Sequence, residues 1–133
     1  MKPECFLKLC MIILVSLSLG ACHTTIEPVE IKTATVLSHR TTDGSVINNP
    51  TPISLNKQKI LFVQNWLTNH REGWSSHNPM ATLLPQWCIS LQTTNDLSLG
   101  LCHYGKNVVL RGLGPEIEHP LSESDISAFS KNI

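Results

Sequence analysis

Histidine and cysteine are the side chains this sequence supplies in number for metal binding, acid–base work or nucleophilic attack: 6 His and 5 Cys in 133 residues. His23, His39, His70, His77, His103 and His119 each offer an imidazole ligand or base. Zinc sites take their ligands at short fixed spacings, so that one turn or helix presents two of them together. No pair of these histidines has such a spacing with a thiol or carboxylate placed to complete the set. Cys102 and His103 are neighbours in a segment of strand pattern, where successive side chains point to opposite faces. Ser75-Ser76-His77 and Ser124-Asp125 hold the residue types of a nucleophile, a base and an acid, yet nothing orients them as a triad. Gly112-Leu113-Gly114-Pro115 lacks the Lys and helix start of a phosphate loop and reads as a turn. The sequence thus assigns no catalytic residue, no metal site and no cofactor.

The cysteines sort by position. Met1 to Lys8 carries two lysines, and Leu9 to Leu19 is an apolar run broken only by Ser16 and Ser18. A bilayer span needs about 20 apolar residues, so the run fits the hydrophobic region of a secretory signal instead. Leu19-Gly20-Ala21-Cys22 follows directly. This tetrapeptide resembles the bacterial lipobox, with an aliphatic residue, two small ones and the obligatory Cys. The resemblance covers the first 22 residues, and no family is recognised for the remainder. It implies that residues 1–21 are a lipoprotein signal peptide, that diacylglycerol is attached to the Cys22 thiol, and that the new amine is acylated with palmitate-like chains. Each buried CH₂ contributes about 0.8 kcal/mol, so two or three chains give a stable membrane anchor. His23 stands where an Asp favours inner-membrane retention in enterobacterial lipoproteins. By resemblance the protein is therefore expected on the periplasmic side, at the outer membrane rather than the inner.

Lys+Arg and Asp+Glu are equal at 10 each, and removing Lys2, Lys8 and Glu4 with the leader leaves a small acidic excess. Such a balance offers no basic face for phosphates and argues against nucleic acid as a partner.

Residues 22–53 read as the lipidated Cys and a flexible tether, rich in Thr, Ser, Asn and Pro. Pro28, Pro50 and Pro52 discourage helix and central strand. A turn at Asp43-Gly44 would join Thr35–Leu37 to Val46–Ile47 as a hairpin and add two edge strands. Residues 54–133 form the domain. Ile60, Val63, Trp66 and Leu67 recur at helical spacing, with Gly73 as the left-handed stop beyond His70 and Arg71. Trp87, Ile89 and Leu91, then Leu97, Leu99 and Leu101, alternate as one-sided strands.

A loop at Thr94-Asn95-Asp96 sets Ile89 opposite Leu101, and with it Cys88 opposite Cys102 on the other face. An exported chain meets an oxidising compartment, and these are the two cysteines left over, so a Cys88–Cys102 disulfide is expected. Gly105-Lys106 suits a type II′ turn, placing Leu110 opposite Leu101 and Val108 opposite His103. Ser122 with Asp125 caps a last helix whose stripe is Ile126, Phe129 and Ile133. The expected fold is α+β: a small α-β-β-β-α domain, a three-stranded antiparallel meander packed by two helices on one face. Of the three tryptophans, Trp74 is the one expected at the surface, available to a partner.

Two function classes follow. The first is a membrane-anchored protein-binding module that grips another envelope protein, as an inhibitor, an immunity protein or an accessory subunit of a secretion or envelope machine. The second is a small metal-binding or hydrolytic envelope protein that uses the His-rich positions. The missing motifs favour contact over chemistry.

Overall fold

The computed structural model describes residues 23–40, 45–77 and 84–133. The leader, Cys22, the Asp43-Gly44 turn and Asn78-Pro79 lie outside the described residues. In chain order the elements are β1 (Ile31–Arg40), β2 (Val46–Ser54), α1 (Lys57–Asn69), β3 (Ser75–Ser76), β4 (Trp87–Thr93), β5 (Ser98–Tyr104), β6 (Asn107–Arg111), β7 (Ile117–Pro120) and α2 (Glu123–Asn132). The strands make one sheet of seven, ordered β2-β1-β4-β5-β6-β7-β3, with every pairing antiparallel.

This corrects the expected three-stranded meander packed by helices. The meander exists as β4, β5 and β6, but it is the centre of a wider sheet. Its register is the expected one. Ile89 faces Leu101, Leu91 faces Leu99, and Cys88 faces Cys102. Across the next hairpin Leu101 faces Leu110 and His103 faces Val108. Gly105 adopts φ +55°, as the first central residue of its turn requires. Cys88 and Cys102 are joined in a disulfide with their Cα atoms 4.2 Å apart.

The stretch read as tether supplies the rest. β1 is an interior strand between β2 and β4, with Ala34 and Val36 turned into the core beside Leu91 and Ile89. Its register breaks between Ile31 and Thr33 and again between Val36 and Ser38. Inward residues 31, 34 and 36 therefore follow no constant period, and Leu37 is 45% exposed. On β2 the pairs jump from Asn48 with Ser38 to Ile53 with Val36, which leaves Pro50 and Pro52 in a bulge, where their missing N–H breaks no ladder bond.

Before β1, Thr24 exchanges backbone hydrogen bonds with Trp74 (2.6 and 3.2 Å) and the Ile26 N–H donates to Arg71 O (2.8 Å). Arg71 Nε donates back to Ile26 O at 3.0 Å, and Ile26 is 1% exposed.

The helices lie on the sheet face that carries Ile89, Leu101 and Leu110. Asn56 caps α1 by accepting from Lys59 N–H at 2.9 Å, and Val63, Trp66 and Leu67 are its buried residues. The helix ends at His70, whose N–H bonds to Trp66 O and Leu67 O. Gly73, at φ +83°, shapes the following turn instead of closing the helix. Gln64 accepts from Ile31 N–H at 2.8 Å and so ties α1 to the start of β1. α2 begins with a full capping box between Ser122 and Asp125 and buries Phe129. Phe129 packs edge-on against Phe62 and Trp66 of α1 and stacks on Trp87 of β4.

Two measurements check this account. Ile26→Ala is expected to cost about 2–5 kcal/mol in urea unfolding, as for a buried aliphatic residue, whereas a tether residue would cost nothing. Replacing Cys88 and Cys102 together by Ser is expected to cost about 3 kcal/mol, from a closed loop near 15 residues, read as a lower midpoint of thermal unfolding.

Candidate functional site

A cleft of about 650 Å³ opens where the sheet runs past the helices. Local sequence builds each wall. Leu55 N–H bonds to Ala34 O at 2.8 Å, so the chain turns from β2 straight into the Asn56 cap and sets Lys59 on the rim. Gln86 N–H bonds to His103 O at 2.7 Å, which aligns Trp87, at the start of β4, with the end of β5. α2 closes the space with Ile126, Phe129 and Ile133. The walls mix apolar side chains with polar ones from Ser54, Asn56, Lys59, Gln86 and Ser130, and among the described residues no Asp or Glu side chain lines the cleft.

His103 is the buried polar group of this cleft, 6% exposed. Its Nε2 lies 2.8 Å from Gly105 O, so the neutral ring carries its proton on Nε2 and leaves Nδ1 as an acceptor. Burial pushes the His103 pKa below its ordinary value of 6.5, and the bond to Gly105 opposes this only in part. The cleft is thus suited to hold an apolar group and offers a neutral acceptor beside it. His103 sits on β5, an interior strand of the sheet. Cys102 and His103 do point to opposite faces, one into the disulfide and the other into the cleft.

The remaining histidines are spread over the molecule. His70 stacks on Trp66 with centroids 4.2 Å apart, its Nδ1 2.7 Å from Trp66 O. His119 lies edge-on to both Trp66 and His70 and reaches Glu72 O at 3.0 Å. On the opposite sheet face His77 Nδ1 lies 3.1 Å from Glu118, while Arg111 meets Glu116 at 2.8 Å and Tyr104 OH at 3.2 Å. His23 is exposed. Among the described residues, no three His, Cys, Asp or Glu side chains gather to hold a metal ion.

Trp74 is not a surface residue. It is 0% exposed, and its Nε1–H donates to His70 O at 2.6 Å. The backbone of Thr24, some 50 residues earlier, pairs with it, and no local pattern foretells so distant a partner. The cleft too was missed, because part of its wall comes from Val36 of β1 and Ile53 of β2, which lie outside the expected 54–133 domain.

Asp125 is the other group with a shifted acidity. Burial alone would raise its pKa, but bonds from the Ser122 backbone and hydroxyl, with the Trp66 indole and the His70 ring close by, hold it below its ordinary 3.8. Trp66 Nε1 lies near this carboxylate without completing a hydrogen bond.

Comparison with protein-family models, curated proteins and solved structures found no match for the chain.

The two shifted groups give stability a defined pH dependence. The unfolded chain protonates at His103 where the folded one does not, so stability is full above pH 6.5 and falls as pH drops towards the lower folded value. Asp125 adds stability above pH 3.8 that is lost as pH falls through its folded value. Urea midpoints measured from pH 8 downward are expected to fall in two stages, and His103→Gln to flatten the first stage only.

Proposed function

We propose that the protein is a lipid-anchored envelope protein that binds another protein through the cleft. The succession of lysines, apolar run and Leu19-Gly20-Ala21-Cys22 in the sequence supports the anchor, and His23 after Cys22 supports the outer membrane. The observation that carries the binding role is a concave cleft that sets apolar side chains beside polar ones, with no acidic side chain among the described residues that line it. Buried anchor side chains of one partner seated in such pockets of the other supply most of the energy of protein–protein contacts. Strand addition is a poorer route. β2 is interrupted by Pro50 and Pro52, and β3 at the other edge has two residues. The partner presents an apolar side chain beside a hydrogen-bond donor, which His103 Nδ1 accepts.

Cys22→Ser is expected to abolish incorporation of labelled palmitate, and undiminished labelling would overturn the anchor. A photo-crosslinking residue at position 53 or 130, in cells carrying the lipidated protein, is expected to trap one discrete partner that the same residue at exposed Ser98 does not. An equal yield at all three positions, or no adduct at any, would overturn the cleft as the contact site.

A further inference from the structure

The point where the chain leaves the domain lies almost at the anchor. Thr24 is hydrogen-bonded to Trp74, and Ile26 is buried against the segment at Arg71. Only His23 lies between Cys22 and Thr24, and the two Cα-to-Cα steps reach at most about 7 Å. The headgroup layer on one side of a bilayer is itself about 5–7 Å deep. A diacylglycerol on Cys22 therefore leaves no free length by which the domain could stand away from the lipid. The expected tether of some 30 residues has been used up in the fold.

Position in the sheet decides which surface meets the membrane. Trp74 immediately precedes β3, the edge strand at one end of the order, and β2 is the edge at the other. Six strand spacings of about 4.8 Å put these edges about 29 Å apart. Resting on the lipid-anchor reading of Cys22, we propose that the surface around Thr24, Glu72 and Ser76 is a lipid-contact edge seated in the headgroup layer. The sheet rises from it, with β2 and the nearby cleft furthest from the anchor. The occupant of this surface is a phospholipid bilayer, and its exposed groups are His23, Glu72 and Ser76. The cleft, lined by Ile53 of β2 and Lys59 of α1, is then presented to a partner outside the lipid.

The test uses the full, processed and acylated protein in phosphatidylethanolamine–phosphatidylglycerol vesicles containing lipid with a nitroxide on its headgroup. Cys88 and Cys102 are bonded to each other and Cys22 is acylated, so one introduced thiol takes a single fluorophore. Glu72→Cys and Ser76→Cys, both at exposed positions, report the proposed edge. Ile53→Cys, at a residue 53% exposed, reports the far one. Quenching is expected to be several-fold stronger at 72 and 76 than at 53. A long Gly-Ser insertion between Cys22 and His23 is expected to abolish the difference. Equal quenching at all three sites would overturn the lipid-contact edge while leaving the anchor intact, and a difference that survives the insertion would overturn the short reach from Cys22 as its cause. Mass spectrometry of the same preparation separates the two readings: an unacylated Cys22 would overturn both.

Discussion

A broad sheet with one apolar face has to find something to cover it, and the described residues hold two helices, of 13 and 10 residues, with which to do so. That shortage of cover governs the molecule. α1 crosses the apolar face with Val63, Trp66 and Leu67 turned inward, and α2 adds Phe129. The remaining gap is closed by the extended segment through Ile26 and Val29, which packs against the same core. Trp74 shows how closely these pieces depend on one another, since its ring is held by His70 O and its backbone by Thr24. Where the cover ends, beyond Phe129 and the first turn of α1, the cleft begins.

What could be read from the sequence was what obeys a local period. β4 and β5 alternate without interruption, so their register and the disulfide across it followed from counting residues. α2 announces itself by Ser122 and Asp125, a capping pair three residues apart. β1 does not alternate, because its two irregularities move the inward residues to 31, 34 and 36 and turn Leu37 outward. The Thr-, Ser- and Pro-rich composition of this stretch then looked like linker. β7 has four residues, of which only Ile117 is a buried hydrophobe, too little for any pattern. Trp74 was misjudged for a different reason: its cover comes from the other end of the chain, and only the tertiary fold brings that segment to it.

The site shows the same division. Histidine was visible as a residue type in excess, yet excess said nothing of arrangement. His70 and His119 became part of an aromatic cluster, His77 joined Glu118 across the far face, and His103 went into the cleft. Its acceptor matters there because it is the buried polar group of a cleft whose other polar residues, Asn56, Lys59, Gln86 and Ser130, are only partly covered or exposed. A buried imidazole whose one proton is committed to Gly105 O has a single hydrogen-bonding capacity left, and that gives the cavity a direction.

The prolines of β2 carry a consequence of another kind. An unpaired strand edge is a template for sheet growth between copies of a protein. Here one edge is broken by a bulge containing Pro50 and Pro52. The other is two residues long, and Thr24 pairs with Trp74 immediately before it. Neither end of the sheet offers a neighbouring copy a continuous row of donors and acceptors, so copies of the protein can be crowded together without polymerising through their strands.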